Sequence, residues 1–295
     1  MWRNKKKNHE NSYQQQESRK KLLAGISNKK KVLYLLIFLA MVALLILIGK
    51  QIKNAGGYPW QDKAEPTETS QKQEEKENLK PEKRPADYQV GEEITKEVLE
   101  KTASQEFFYG MKISEDILQR IEGISYPSDC KVPIEELRYL RMLYYGFDGK
   151  CYVGEMIVNT RIEEDTLEVF QELYEIEYPI EKMVLIDDYN GSDEESMTDN
   201  NSSSFNYRVI AGTTTLSNHS IGCAIDINPL YNPYVKEKDG TLIVSPVQGM
   251  PYVDRSAKNP YAIQKGDKCC EIFEKHGFTW GGDWESCKDY QHFEK

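Results

Sequence analysis

Between Val32 and Gly49 the chain runs eighteen residues, VLYLLIFLAMVALLILIG, without one charged side chain. A helix in a globular core shows a polar face, and this run has none. Its length approaches the roughly 20 apolar residues that carry a helix across a bilayer, so it reads as a transmembrane span. The charged segment before it is long for a secretory signal, and KQIKNAGGYPW after it offers no convincing small-residue cleavage site. The span is therefore expected to stay as an anchor. Charge sets its direction: the first fifty residues hold eleven Lys and Arg against only Glu10 and Glu17. The basic tail, residues 1–31, is expected in the cytoplasm, and everything after residue 49 outside a single-pass membrane anchor.

The whole chain has a formal net charge of −10, so the exported part must be strongly acidic. A surface of that sign argues against a nucleic-acid partner and against anionic lipid. All six cysteines (Cys130, Cys151, Cys223, Cys269, Cys270, Cys287) lie in the exported part, where disulfides persist, and none has CxxC spacing. One or two structural bridges are expected, with Cys223 instead a small buried hydrophobe in a strand. Residues 50–93 are rich in Glu, Lys, Gln and Pro and poor in large aliphatics until Ile94, the composition of an extended stalk. The folded domain is expected to span 94–295.

Within it, helical spacing runs through Ile94, Val98 and Leu99, and again through Ile113, Ile117 and Ile121. Leu137–Tyr145 and Tyr152–Val158, rich in aromatic and aliphatic residues around Asp148-Gly149, predict a β-hairpin. Thr160 and Glu163 form a capping-box pattern ahead of a helix whose apolar stripe is Ile162, Thr166, Val169, Phe170, Leu173 and Tyr174. Met183–Ile186 reads as a short buried strand. The polar stretch after it, DDYNGSDEESMTDNNSSS, lacks the ligand spacing of a calcium loop and reads as a solvated lid or partly helical loop. A further helix is expected from Ile263 to Lys275, with His276 at its C-terminus bonding to the last carbonyls.

The segment LSNHSIGCAIDINPLYN, residues 216–232, carries the most informative spacing. From Gly222 it alternates, so Cys223, Ile225 and Ile227 face one way while Ala224, Asp226 and Asn228 face the other, with Asp226 on the open side. Gly222 permits a tight bend that would bring His219 beside Asp226. Of the four histidines, His9 lies in the basic tail, His276 is structural, and His219 and His292 are left for chemistry.

In these segments the chain resembles the zinc peptidases that include the VanY-like D-alanyl-D-alanine carboxypeptidases and the L-alanyl-D-glutamate endopeptidases of bacteria and phage. The matching residues are Ser217, His219, Gly222, Ala224, Asp226 and Asn228, then Trp280-Gly281-Gly282-Asp283-Trp284, then Asp289 with His292. The resemblance extends more loosely over residues 130–295. It implies an α+β fold, an antiparallel sheet with packed helices of the Hedgehog/DD-peptidase-like kind. It implies a Zn2+ site formed by His219, Asp226 and His292, with a fourth position left open for water. It implies Asp289 as general base and Arg208 as the cation that polarises the scissile carbonyl. Ser217, Trp280, Asp283 and Trp284 would bind substrate, a peptidoglycan stem peptide. Glu294, on the same side of a strand as His292, is the rival to Asp289, and a salt bridge with the acidic loop is the alternative role for Arg208. Three readings follow: a peptidase removing terminal D-alanine or cutting between L-alanine and D-glutamate, a non-catalytic zinc domain of the same fold, or a metal-free acidic scaffold.

Overall fold

The computed structural model describes residues 83–210 and 213–295. The expected membrane span, 32–49, the basic tail and most of the stalk lie outside the described residues. Among those described, no helix is long and apolar enough to cross a membrane. The architecture is α+β, with antiparallel sheets and few helices.

The first sheet is built from β1 (Glu93–Ile94), β2 (Tyr109–Lys112), β3 (Leu137–Tyr145) and β4 (Cys151–Asn159) in the order β1-β4-β3-β2. Between its strands run α1 (Lys96–Lys101) and α2 (Glu115–Ile121), the latter capped by Ser114, whose hydroxyl accepts from the Ile117 amide. The predicted hairpin forms as β3 and β4, in register from Leu137 opposite Asn159 to Tyr145 opposite Cys151. Tyr88, assigned by composition to the stalk, is buried with Ile94 and Phe107 against Leu143 and Val153. Ordered structure thus starts ahead of Ile94.

Helix α3 (Glu163–Glu175) buries Thr166, Val169, Phe170 and Leu173, the stripe its periodicity predicts. Its capping box does not form. Ile162 occupies the cap position without a side-chain bond, and Glu163 pairs with Arg138 on β3 at 3.3 Å instead. The strand expected at Met183–Ile186 is also absent: residues 183–185 are irregular and Ile186 opens a short 3-10 turn. Side chains supply the hydrogen bonds a neighbouring strand would have given. Asn201 Oδ1 accepts from the Val184 amide at 2.9 Å, and Glu155 Oε1 from the Leu185 amide at 3.3 Å. Glu155 is itself buried, and Arg120 binds both of its oxygens while the Tyr139 hydroxyl donates to one, which offsets the cost of burying the charge.

The polar stretch after residue 186 is less solvated than its composition suggests. Helix α4 (Asp193–Thr198) is acidic in its first turn, but Ser196, Asn200, Asn201, Ser202 and Ser204 are buried. Their amides and hydroxyls replace water as partners. Asn200 Oδ1 accepts from the Leu230 amide at 2.9 Å, and Ser202 Oγ from the Asn228 amide at 3.1 Å.

The second half contains β5 (Ala224–Asp226), the hairpin β6 (Tyr234–Lys238) and β7 (Thr241–Ser245), α5 (Lys268–Lys275), β8 (Thr279–Trp280), β9 (Lys288–Asp289) and β10 (His292–Glu294). They make two more antiparallel sheets, ordered β5-β10-β8 and β7-β6-β9. Helix α5 starts five residues later than the predicted Ile263, at the Asp267 cap, whose carboxylate accepts from the Cys270 amide. His276 closes it at the predicted position, but its ring lies between Glu168 and Glu172 of α3 instead of on the last carbonyls, which its backbone amide meets.

One apolar core joins these parts, drawing Leu140 and Met142 from β3, Val169 and Phe170 from α3, Ile225 from β5, Phe273 from α5 and Phe293 from β10. All six cysteines are free thiols, which corrects the expectation of structural bridges. Cys223, Cys269 and Cys270 pack into this core and Cys151 into the cluster around Tyr88, so they serve as small apolar side chains.

Candidate metal centre

Two neighbouring segments bring the site together. Ser217 opens a 3-10 turn (Asn218–Ile221) by accepting from the His219 amide, and Gly222 ends it at φ +69°, a left-handed conformation that favours glycine. Space imposes the same choice, because a Cβ on Gly222 would stand 2.7 Å from the Asn159 amide nitrogen. The turn is tied to the first sheet there: the Asn159 amide donates to the Gly222 carbonyl and Asn159 Nδ2 to that of Ile221. Past the bend, β5 pairs with β10 so that Asp226 stands opposite His292. Phe293, fully buried and stacked on Phe273 at 4.0 Å, anchors β10, and burying such a side chain stabilises by about 1.5–3 kcal/mol. With Phe293 turned into the core, alternation sends His292 and Glu294 to the opposite face.

His219 Nε2 lies 3.3 Å from Asp226 Oδ2, His292 Nδ1 lies 3.2 Å from Asp226 Oδ1, and the two ring nitrogens are 3.2 Å apart. Metal bonds of about 2.0–2.1 Å in a tetrahedron put neighbouring ligand atoms roughly 3.4 Å apart, so these spacings suit a zinc ion without rearrangement. His219, Asp226 and His292 form a buried group that could hold a metal. Each imidazole is oriented from behind: His219 Nδ1 meets the Ser204 carbonyl at 2.7 Å, and His292 Nε2 meets Glu294 Oε2 at 3.0 Å.

Burial opposes charge on both Asp226 and His292, and neighbouring charges together with hydrogen bonds overcome it. The imidazoles of His219 and His292 hold Asp226 well below the usual carboxylate range, while bonds to Asp226 and Glu294 push His292 up to about 10. The open face expected for Asp226 is in fact covered. Ser203 pairs with Asp226 through both backbone groups, and Asp226 is only 9% exposed, its carboxylate facing His219 and His292.

Asp289 ends β9 on the other sheet, three residues before His292. Its Oδ1 is inaccessible and has no hydrogen-bond partner, which is unusual for a buried carboxylate. Burial, aided by the Asp226 charge and opposed by that of His292, pushes it up to about 6, in the range useful to a base near neutrality. Gly281 makes this placement possible, since a Cβ there would come within 2.9 Å of Asp289 Cβ and 3.3 Å of His292 Cβ. Glu294 lies behind His292, on the nitrogen turned away from Asp226.

The remaining predicted residues divide. Arg208 is ion-paired through Nε to Asp193 at the start of α4, the acidic-loop contact weighed as its alternative role. Ser217 is buried and supports the His219 turn, and Trp280 is buried in the core with its Nε1–H donated to the Tyr290 carbonyl at 2.9 Å. Asp283 is exposed and pairs with Lys265 at 2.9 Å. Trp284 alone of the four substrate candidates flanks a proposed ligand, its ring centroid 5.2 Å from that of His292. Sequence reasoning missed the Ser204 carbonyl, which no residue type announces, and Asn218, whose position beside His219 was the available signal.

Comparison with curated proteins and with solved structures gives no match. Residues 211–295, the stretch holding His219, Asp226, Asp289 and His292, match a family described as D-alanyl-D-alanine carboxypeptidase. The His-Asp-His cluster falls inside that match, so this C-terminal part of the chain is similar to the VanY-like D-alanyl-D-alanine carboxypeptidases.

Proposed function

We propose that the protein is a zinc peptidase that removes the terminal D-alanine from peptidoglycan stem peptides outside the cell, held to the membrane by its N-terminal helix. The observation that carries this reading is the His219–Asp226–His292 cluster with Asp289 beside it, its Oδ1 buried without a hydrogen-bond partner, all inside the family match. Two imidazoles and one carboxylate are the ligand type of catalytic zinc sites that keep a fourth position open. A zinc ion held there would supply Lewis acidity to the scissile carbonyl and to water. Asp289 Oδ1, free of other bonds, takes the proton from the attacking water and returns it to the leaving amine. Arg208 uses Nε for Asp193, which leaves its terminal nitrogens to meet the developing negative charge on the carbonyl oxygen. Trp284 forms a wall next to His292 against which the peptide backbone can lie. The presence of both a complete ligand set and a candidate base weighs against a non-catalytic zinc domain.

The test is to incubate the zinc-loaded protein with a pentapeptide muropeptide and read the products by mass spectrometry. Loss of one alanine is expected. Cleavage between L-alanine and D-glutamate would replace the carboxypeptidase assignment with the endopeptidase one. An intact muropeptide, under conditions where the protein holds its zinc, would overturn the peptidase reading.

The location is tested separately. Protease added to intact cells is expected to degrade the C-terminal domain and spare the basic N-terminal tail, because the ten cationic side chains ahead of the span resist translocation. A C-terminal domain that stays protected until the cells are lysed would show the opposite orientation.

A further inference from the structure

Glu294 has a role that neither a general base nor a surface carboxylate would explain. One of its oxygens, Oε2, accepts two hydrogen bonds, from His292 Nε2 at 3.0 Å and from Asn218 Nδ2 at 2.6 Å. Asn218 directly precedes His219, and Glu294 lies two residues after His292 on β10. A single carboxylate oxygen therefore ties together the two segments that carry the imidazoles.

The chemistry of the imidazole makes this contact directional. For His292 Nδ1 to give its lone pair to a metal, the ring's remaining proton must sit on Nε2, and that proton needs an acceptor. His219 meets the same requirement with its ring reversed: Nδ1 faces the Ser204 carbonyl and Nε2 faces the cluster. A backbone carbonyl thus sets one ligand and a side chain sets the other. Strand alternation places Glu294 on the same face as His292, and Phe293, buried between them, prevents the strand from rotating.

We propose that Glu294 is a positioning residue for the metal centre, holding His292 in the Nε2–H tautomer and, through Asn218, fixing its distance from His219. The inference rests on the zinc reading above. What it adds is that zinc affinity depends on a residue that touches neither the metal nor the substrate.

The experiment measures zinc affinity of the purified full-length chain by competition with a chromogenic chelator, for wild type, Glu294→Ala, Glu294→Gln, Asn218→Ala and the double alanine variant. Loss of a group that orients a metal-bound histidine typically weakens metal binding about 10–100-fold, and that is the effect expected for Glu294→Ala. Glutamine keeps an oxygen that can accept from both donors, so Glu294→Gln is expected to stay within about threefold of wild type. Asn218 acts through Glu294, so its removal should add little once Glu294 is gone. Cobalt substitution gives a second readout. The visible d–d spectrum should change for Glu294→Ala and be restored by Glu294→Gln, which a purely structural hydrogen bond would not produce. Wild-type affinity and spectrum in Glu294→Ala, or fully additive effects of the two alanine substitutions, would overturn the proposal. If Glu294→Ala does not fold, the glutamine variant decides alone, since weak binding by a folded Glu294→Gln would show that an acceptor is not what His292 needs. Failure of wild type itself to bind zinc would instead sink the functional reading, so the two failures are distinguishable.

Discussion

Asp289→Asn is expected to keep its zinc and to lose peptide hydrolysis by roughly 10²–10⁴-fold, the range typical of removing a general acid–base. The substitution preserves shape and size but leaves no group able to accept the proton. Geometry makes Asp289 the better candidate than Glu294. Both Glu294 contacts, to His292 Nε2 and Asn218 Nδ2, engage it behind the ring, whereas Asp289 Oδ1 is buried with no partner at all. These bonds hold Glu294 on the far side of the imidazole from Asp226, whereas Asp289 Oδ1 has no donor competing for the proton. Burial also pushes Asp289 up to about 6, so near neutral pH a modest change decides whether it is ionised. The raised value gives the sign of the pH dependence: activity carried by ionised Asp289 should fall as acid protonates it, and Asp289→Asn should flatten that limb. Zinc content and hydrolysis measured side by side for Asp289→Asn and Glu294→Gln settle the assignment. An active, zinc-bound Asp289→Asn with a dead Glu294→Gln would transfer the base to Glu294.

The elements most legible in sequence were those whose signal is local. The alternation after Gly222 and the apolar stripe of Thr166, Val169, Phe170 and Leu173 each report one face of one element, and each packs as its period requires. The Leu137–Tyr145 hairpin was equally plain. Errors arose wherever a distant side chain decided the outcome. Met183–Leu185 has the composition of a strand but takes its hydrogen bonds from Asn201 and Glu155, which no window around residue 184 contains. Asp226 reads as standing on an open face because what surrounds it is distant in sequence: its backbone pairs with Ser203 and its carboxylate meets His292, each more than twenty positions away. Ser217 and Trp280 were read as substrate contacts because they stand inside matching motifs, whereas they support the His219 turn and the Tyr290 carbonyl from within the core. Motif membership marks a residue as needed near a site without saying on which side of the wall it stands.

His219→Ala and Asp226→Ala are each expected to abolish stoichiometric zinc binding and, with it, activity, and chelation of the wild type should do the same. The argument is one of coordination number. Three protein ligands with an open fourth position make a catalytic zinc site, and removing one leaves two, too few to hold the ion at ordinary metal concentrations. The fold should survive either change, because the strands are held independently of the metal. Phe293 stacks on Phe273, β10 is paired on both sides by β5 and β8, and the His219 turn is bonded to Asn159 through the backbone. Thermal unfolding of the metal-free variants should therefore lie close to that of metal-free wild type, while zinc should raise the midpoint of wild type alone, since a ligand bound only by the native state stabilises it. His219→Ala leaves Asp226 bonded to His292, and Asp226→Ala leaves two facing imidazoles, so neither variant strands an unpaired charge in the site. A His219→Ala protein that retained zinc with wild-type affinity would show that the ion is held elsewhere and that the His-Asp-His cluster is a buried hydrogen-bonded triad without metal.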